Sequence, residues 1–488
     1  MEERKGFGTN FGFLMAAVGS AVGLGNIWGF PNKMGASGGF TFLVIYLVLA
    51  VLCGFIVMVG ELALGRKTRH GAVGAYKALS KKFKWMGWMG ILSAFFILFF
   101  YCALGGYCIK YTVLNIGDLF HAGFGANALA ETAAASGNSL GAEVFGAFMS
   151  SPTEAIVYGL IFVAITMIIV IGGIGGGIEK VCSVGMPALF VMLLICIVRA
   201  CTLEGAVDGL KYMFVPGWAV ANGVIDEAPN FFGVLSAAGG QMFFSLSLGM
   251  GIMITYGSYL DKKENLQKNA LLIIIMDTLV ALMAGLCVIP GRFALDPTGS
   301  LGGPKLLFVT MQNVFSRMGP IGPIFGILFY LLVVFAAISS SISLLEAVVA
   351  HFVDNARDAG KGDKRKAYAL IAAVAVGVGA MLICADSLGE APFTPWRLLN
   401  LPAESIRTWN DCWLDFFDML SEGIMMPLGA LMMTLMVGWE LGPDVVKDEC
   451  EASGHAMASY GFYKVCIKYI TPLCMILVLY GQIKEFFF

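Results

Sequence analysis

Charge is what this sequence has least of. Asp, Glu, Lys and Arg make up 13% of its 488 residues, against 58% hydrophobic, and the mean hydropathy is +0.81. Soluble domains carry charge at about a quarter of their positions, so a water-soluble globule is excluded. Histidine is also scarce. His70, His121, His351 and His455 lie scattered in or near polar loops, which leaves no metal centre and no acid–base set for a membrane enzyme. The cysteines sit mostly inside apolar runs, as at Cys53, Cys102, Cys196 and Cys287, where a thiol behaves as a small hydrophobe, so no disulfide framework is expected. No basic array interleaved with aromatics occurs, which argues against a nucleic-acid partner.

What the sequence has instead is long apolar runs. A spanning helix needs about 20 apolar residues, because lipid offers backbone groups no hydrogen bonds. About eleven stretches qualify, beginning near Phe11, Phe40, Met86, Ala155, Val181, Phe231, Gln267, Gly319, Tyr368, Phe416 and Phe462. The reading is an all-α membrane protein whose surroundings are lipid. The first run continues through Gly and Asn residues unlike a cleavable signal and is counted as helix one. Cytoplasmic loops retain Lys and Arg. The loop after helix two holds Arg66, Lys67, Arg69, Lys77, Lys81, Lys82 and Lys84 with no acidic residue, whereas Gly117 to Ser151 has neither Lys nor Arg. The loop after helix eight, with Arg357, Lys361, Lys364, Arg365 and Lys366, falls on the same side. A cytoplasmic N-terminus and an outside C-terminus follow. The insert from Asn127 to Ser151 is rich in Ala, Gly and Ser, consistent with short surface helices or a flexible lid.

Two spans carry polar, glycine-rich interruptions. Helix one reads Gly19-Ser20-Ala21-Val22-Gly23-Leu24-Gly25-Asn26, and helix six reads Gly239-Gly240-Gln241-Met242-Phe243-Phe244-Ser245-Leu246-Ser247-Leu248-Gly249-Met250-Gly251. Glycine costs a helix interior about 1 kcal/mol relative to alanine. Taken alone, either run suits close helix packing. Together they occupy matching places five helices apart, the pattern of an inverted-repeat transporter with its site at the membrane midplane. Unwinding frees carbonyls for a hard cation and amides for a carboxylate. The chain then reads as one domain, 1–488, with five-helix repeats at 11–200 and 229–439 and an eleventh helix at 462–484. Polar residues gathered at one depth favour an occluded site over a channel.

At Gly19 to Pro31, Glu61 to Arg66, Gln241 to Gly251 and Ala336 to Ser341 the sequence resembles the neurotransmitter:sodium symporter family, and the likeness covers nearly the whole chain. The resemblance implies sodium-coupled amino-acid uptake by alternating access, with two sodium sites and no organic cofactor. Eleven helices and short termini fit the prokaryotic branch and hence an inner membrane. One sodium site would use the carbonyls of Ala21 and Ser245, the side chains of Asn26, Ser245 and Asp277, and the substrate carboxylate. The other would use the carbonyls of Gly19, Val22 and Ala336 and the hydroxyls of Ser339 and Ser340. The substrate carboxylate would meet the amides near Leu24 and Gly25 and the Tyr101 hydroxyl, and its ammonium the carbonyls of Ala21 and Phe244. Ser20, Ile97, Phe244, Ser247, Met250, Ser340 and Leu344 would line the side-chain pocket, with Tyr101 and Phe244 as an aromatic lid. No fixed charge stands among them, which favours a neutral hydrophobic substrate, aromatic ones included. A transporter-derived sensor would look the same.

Departures from the family pattern carry further expectations. Asp277 stands where many relatives have Asn beside a chloride site lined here by Tyr46 and Gln241, so its carboxylate either replaces chloride or takes up a proton on the return step. Gly29 stands where an outer-gate Arg is usual. Lys33, one turn on, is then either paired with Asp418 or simply solvated. Arg4 and Asp354 match the inner gate, with Ser258, Tyr259 and Glu346 in register, although Arg4 also fits a plain topology charge. Glu61 matches a carboxylate that supports the broken helices, with snorkelling to the interface as the other reading. Gly177 and Pro187 match a Gly-x9-Pro spacing at which helix five unwinds in some relatives.

Overall fold

The computed structural model describes residues 6–297, 303–361, 364–398, 400 and 410–487, and among these the regular structure is helical throughout. Nine helices are each long and apolar enough to cross a membrane: Phe40–Thr68, Met86–Leu119, Pro152–Ile171, Ile174–Cys201, Leu266–Leu295, Gly319–Asp358, Arg365–Asp386, Trp413–Leu441 and Tyr460–Lys484. These are helices two to five and seven to eleven. Helix one is a bent pair, Asn10–Ala21 and Gly25–Ala36, turning by 45°. Helix six comes in two pieces, Phe231–Ser245 and Ile252–Gly257, each too short to span alone. The count of eleven, with helices one and six discontinuous, is thus what the apolar runs and their interruptions predict.

Both breaks have a local cause. Val22 leaves helical geometry at φ −74°, ψ 100°, and the freed Gly23 amide donates to the Asn26 side-chain oxygen at 3.0 Å. In helix six the chain takes positive φ at Ser247, Gly249 and Gly251. Neither glycine admits a side chain, since a Cβ would lie 2.3 Å from the Met426 carbonyl oxygen at Gly249 and 2.5 Å from the Ala72 Cβ at Gly251. At Gly249 the backbone has a second task. Its amide donates to Glu61 at 2.8 Å. Glu61 is 1% exposed, so it supports the break from inside and does not snorkel.

Helix five begins at Ile174, earlier than the predicted Val181, because the glycine-rich stretch Ile174–Glu179 winds into a π-helical turn. Gly177 permits this: a Cβ there would lie 2.0 Å from the Ile169 carbonyl oxygen. Pro187 lies inside the continuous helix Lys180–Cys201, so the Gly-x9-Pro segment is wound in this structure. The alanine-rich insert resolves into a 3-10 turn, Ala126–Leu129, and two short helices, Ala130–Ser136 and Leu140–Met149. It is anchored, because Asn313 accepts from the Gly141 amide at 2.7 Å and donates to Ser139 and Asp296, each at 3.0 Å. Helices three and eight form the buried wall against which the broken helices sit, from Ile97, Phe100 and Tyr101 to Ala336, Ser340 and Leu344.

Candidate substrate and ion site

The two breaks face each other across one small cavity. Helix one contributes Ser20, Ala21 and Gly25, helix three Ile97 and Tyr101, helix six Phe244, Ser247 and Met250, and helix eight Ser340 and Leu344. All are uncharged. Every side-chain pocket residue expected from the sequence is here. The cavity is contracted to about 10 Å³, close to one water-sized sphere. Its roof is aromatic: the Phe244 ring lies 6.4 Å from that of Tyr101 and stacks on Phe100 at 6.5 Å. The Tyr101 hydroxyl accepts the Leu24 amide proton at 2.7 Å, which places the hydroxyl beside the amide end of the second half of helix one. Gly23 permits this approach, since a Cβ there would lie 2.1 Å from the Tyr101 oxygen and 2.2 Å from Ser340 Oγ. Ser247 and Ser340 both donate to the Ser20 carbonyl, at 2.9 and 3.0 Å, tying helices one, six and eight at this depth.

On one side of the cavity stands Asp277, with no solvent exposure. Asn26 Nδ2 donates to Asp277 Oδ1 at 2.7 Å and to its backbone carbonyl at 3.1 Å. Ser245 donates to both carboxylate oxygens, at 3.1 and 2.9 Å, and the Tyr46 hydroxyl reaches Oδ2 at 3.3 Å. Gln241 Nε2 donates to the Gly25 carbonyl at 2.7 Å. A charge buried in this way is sustained only by such partners. On the other side, Ser339 Oγ contacts the carbonyls of Val22 at 3.3 Å and Ala336 at 3.0 Å. Ser340 Oγ contacts those of Gly19 at 3.2 Å and Val22 at 3.4 Å. The side chains of the first set, Asn26, Ser245 and Asp277, and the hydroxyls and carbonyls of the second are therefore brought together, and both groups consist of the hard oxygen donors that suit an alkali cation.

The outer contact differs from expectation. Lys33 forms its ion pair with Glu422 rather than Asp418. A π-helical turn, Met419–Met425, follows Asp418 in helix ten and rotates the next residues away from an α-helical count, presenting the Glu422 carboxylate to Lys33. Asp418 remains within electrostatic reach of the ammonium group. Glu422 was detectable as an acidic residue inside an apolar span. On the opposite face Arg4 lies outside the described residues. Asp354 accepts the Gly71 amide at 2.9 Å and pairs with Arg357 at 3.5 Å. Tyr259 donates to Glu346 at 2.6 Å, and Arg365 grips the same carboxylate through two bonds of 2.6 and 2.9 Å. Arg365 and Glu179 add themselves to that face. Glu179, at the start of helix five, accepts from the Gly8 amide at 2.8 Å and from Thr9 Oγ1 at 3.1 Å. Arg66, counted in the sequence as a loop charge, is fully buried and pairs with Glu449 at 2.8 Å.

Comparison with known proteins agrees with this geometry. The profile of the sodium:neurotransmitter symporter family matches residues 4–120 and 153–394. An uncharacterized sodium-dependent transporter, YhdH, of Bacillus subtilis (strain 168) is 31% identical over 480 residues, covering 96% of each chain. An uncharacterized sodium-dependent transporter of Haemophilus influenzae is 29% identical, covering 98% of each. Among solved structures, MhsT in complex with L-phenylalanine superposes with a TM-score of 0.81 at 31% identity, covering 98% of this chain and 100% of that one.

Proposed function

The chain belongs to the sodium:neurotransmitter symporter family, and from that premise we propose that it couples inward sodium movement to uptake of neutral hydrophobic amino acids, aromatic ones included. The observation that carries this reading is one uncharged cavity, bounded by two helix breaks and flanked by two sets of oxygen donors. Asn26, Ser245, Asp277 and the Ala21 carbonyl hold one sodium ion together with the substrate carboxylate. Ser339, Ser340 and the carbonyls of Gly19, Val22 and Ala336 hold the other. The substrate carboxylate takes the place at the amide end of Gly25 and the Tyr101 hydroxyl, and the ammonium group meets the carbonyls of Ala21 and Phe244. A substrate oxygen in the first ion shell makes sodium and substrate affinities reciprocal.

The pocket around Ile97, Met250 and Leu344 offers a charged side chain no partner, whereas an apolar one buried there gains roughly 1.5–3 kcal/mol. The likeness to MhsT, solved with L-phenylalanine, supports an amino-acid substrate. Since the cavity is contracted, the Phe244 and Met250 side chains move to admit it, and methionine repacks with little strain. Helices one, two, six and seven rock against the rest, Lys33 and Glu422 closing one face and the Glu346 network the other. Asp277 supplies a fixed negative charge, so transport is independent of chloride. The N-terminal face is cytoplasmic.

The test is uptake of labelled leucine and phenylalanine into proteoliposomes under an inward sodium gradient, against an equal potassium gradient, both without chloride. Sodium-driven accumulation above equilibrium is expected. Sodium-dependent binding with no accumulation of any amino acid would make the protein a sensor instead.

A further inference from the structure

The connection between helices two and three concentrates charge of one sign. It winds into the short helix Ala72–Leu79 and ends at Trp85, where helix three starts. It lies on the Glu346 face, since Asp354 accepts the Gly71 amide at 2.9 Å. Between Glu61 and Asp118 the sequence holds no acidic residue. Lys77, Lys81, Lys82 and Lys84 are all exposed, and among the described residues none of the four forms an ion pair. Other lysines of this face do: Lys262 stands 3.6 Å from Glu449, Lys263 3.6 Å from Asp261 and Lys447 3.8 Å from Glu451. One carboxylate does come to the connection, that of Glu440 at the end of helix ten, but it accepts from the Ser80 hydroxyl at 2.6 Å. The retention of lysine on one side of a membrane accounts for the sign of this charge, not for its gathering in one unpaired patch.

The same level of the molecule carries exposed tryptophans. Trp85 and Trp88, at the start of helix three, are each 47% exposed, and Trp439, at the end of helix ten, is 59% exposed. The Ser80–Glu440 bond brings that end of helix ten to the lysine patch. Indole rings settle at the headgroup depth of a bilayer, so the lysines stand where the phosphates of one leaflet lie, and their flexible stems let the ammonium groups reach them. A soluble acidic peptide would satisfy the lysines and leave the indole rings without an apolar partner. A phospholipid offers charge to the first and acyl chain to the second.

We propose that this patch is a binding site for anionic phospholipid, with Lys81, Lys82 and Lys84 on the headgroup phosphate and Trp85 and Trp88 against the glycerol backbone and upper acyl chains. The site is separate from the central cavity and carries no part of the transport chemistry.

The test is native mass spectrometry of the purified full chain, counting bound lipid during titration with phosphatidylglycerol and, as a zwitterionic control with the same acyl chains, phosphatidylcholine. One variant combines Lys81→Gln, Lys82→Gln and Lys84→Gln. A second combines Lys262→Gln and Lys263→Gln, which removes charge from the same face at paired positions. A lysine beside an anionic surface contributes about fivefold to affinity. The tightest phosphatidylglycerol site should therefore weaken about tenfold or more in the first variant and stay close to the wild type's in the second, and the wild type should hold phosphatidylcholine more weakly. Unfolding midpoints near the wild type's certify both variants. Equal binding of the two lipids, unaltered phosphatidylglycerol binding in the first variant, or an equal loss in both variants would each overturn the proposal. Displacement of the bound lipid by millimolar inorganic phosphate would make the patch a free-anion site and overturn it as well.

Discussion

Asp277 is held by three side chains from helices one, two and six, so its carboxyl group is fixed in place within the site. Asp277→Asn keeps most of the hydrogen bonds and removes the charge. Uptake without chloride is then expected to fall by about tenfold or more, the scale of a lost charged interaction, and to recover when chloride is added, because the hydroxyls of Tyr46 and Ser245 still stand beside the position. Parallel uptake assays in chloride and gluconate read this directly, and a loss that chloride does not restore refutes the substitution argument. Gly23 is equally exacting for a steric reason. Gly23→Ala forces a methyl group into the Tyr101 hydroxyl and Ser340, so sodium-dependent substrate binding should be abolished while the thermal midpoint stays close to the wild type's, as measured by scintillation proximity and by thermal unfolding.

The helix breaks were legible in the sequence because glycines and polar residues at lipid depth violate helix propensity twice, at corresponding places. The residues around them followed from the family likeness, and the structure gathers the expected pocket side chains around one cavity. What the sequence concealed are pairings between distant segments and changes of helical pitch. Arg365 meets Glu346 across a loop, Glu179 meets Gly8 from 171 residues away, and the π-turn in helix ten moves the partner of Lys33 from Asp418 to Glu422. No apolar periodicity reports any of these. The π-turn gives a prediction about the element that carries it: Glu422→Gln should speed escape of bound substrate toward the Lys33 face more than Asp418→Asn does. Dissociation rates of labelled substrate in the two variants decide this, and the reverse order would restore Asp418 as the main partner. Helix six is braced in a comparable way. Glu61→Ala leaves the buried Gly249 amide without its acceptor and should cost about 1–3 kcal/mol of stability, seen as a lower midpoint of thermal unfolding. Glu61→Gln, which retains an oxygen, should recover most of it.

For the whole molecule, the alternating-access cycle proposed above has the first half of helix one leave helix five as the Glu346 face opens, and Glu179 is the clasp between them, holding Gly8 and Thr9 while Phe7 packs edge-on against Tyr256 and Tyr259. Glu179→Ala should therefore raise amide hydrogen exchange over residues 7–21 without altering exchange at Gly23 to Ala36; uniform exchange in both segments would show that the clasp is not specific. The cysteines bear on how such motion is observed. Ten of the twelve are buried, and only Cys201 and Cys474 are partly accessible, so the native protein is nearly silent toward water-soluble maleimides. A single reporter thiol, or a pair across the Lys33 face, can carry a spin label or a fluorophore in an otherwise unaltered chain, and the distances it returns describe the working protein rather than a cysteine-stripped substitute.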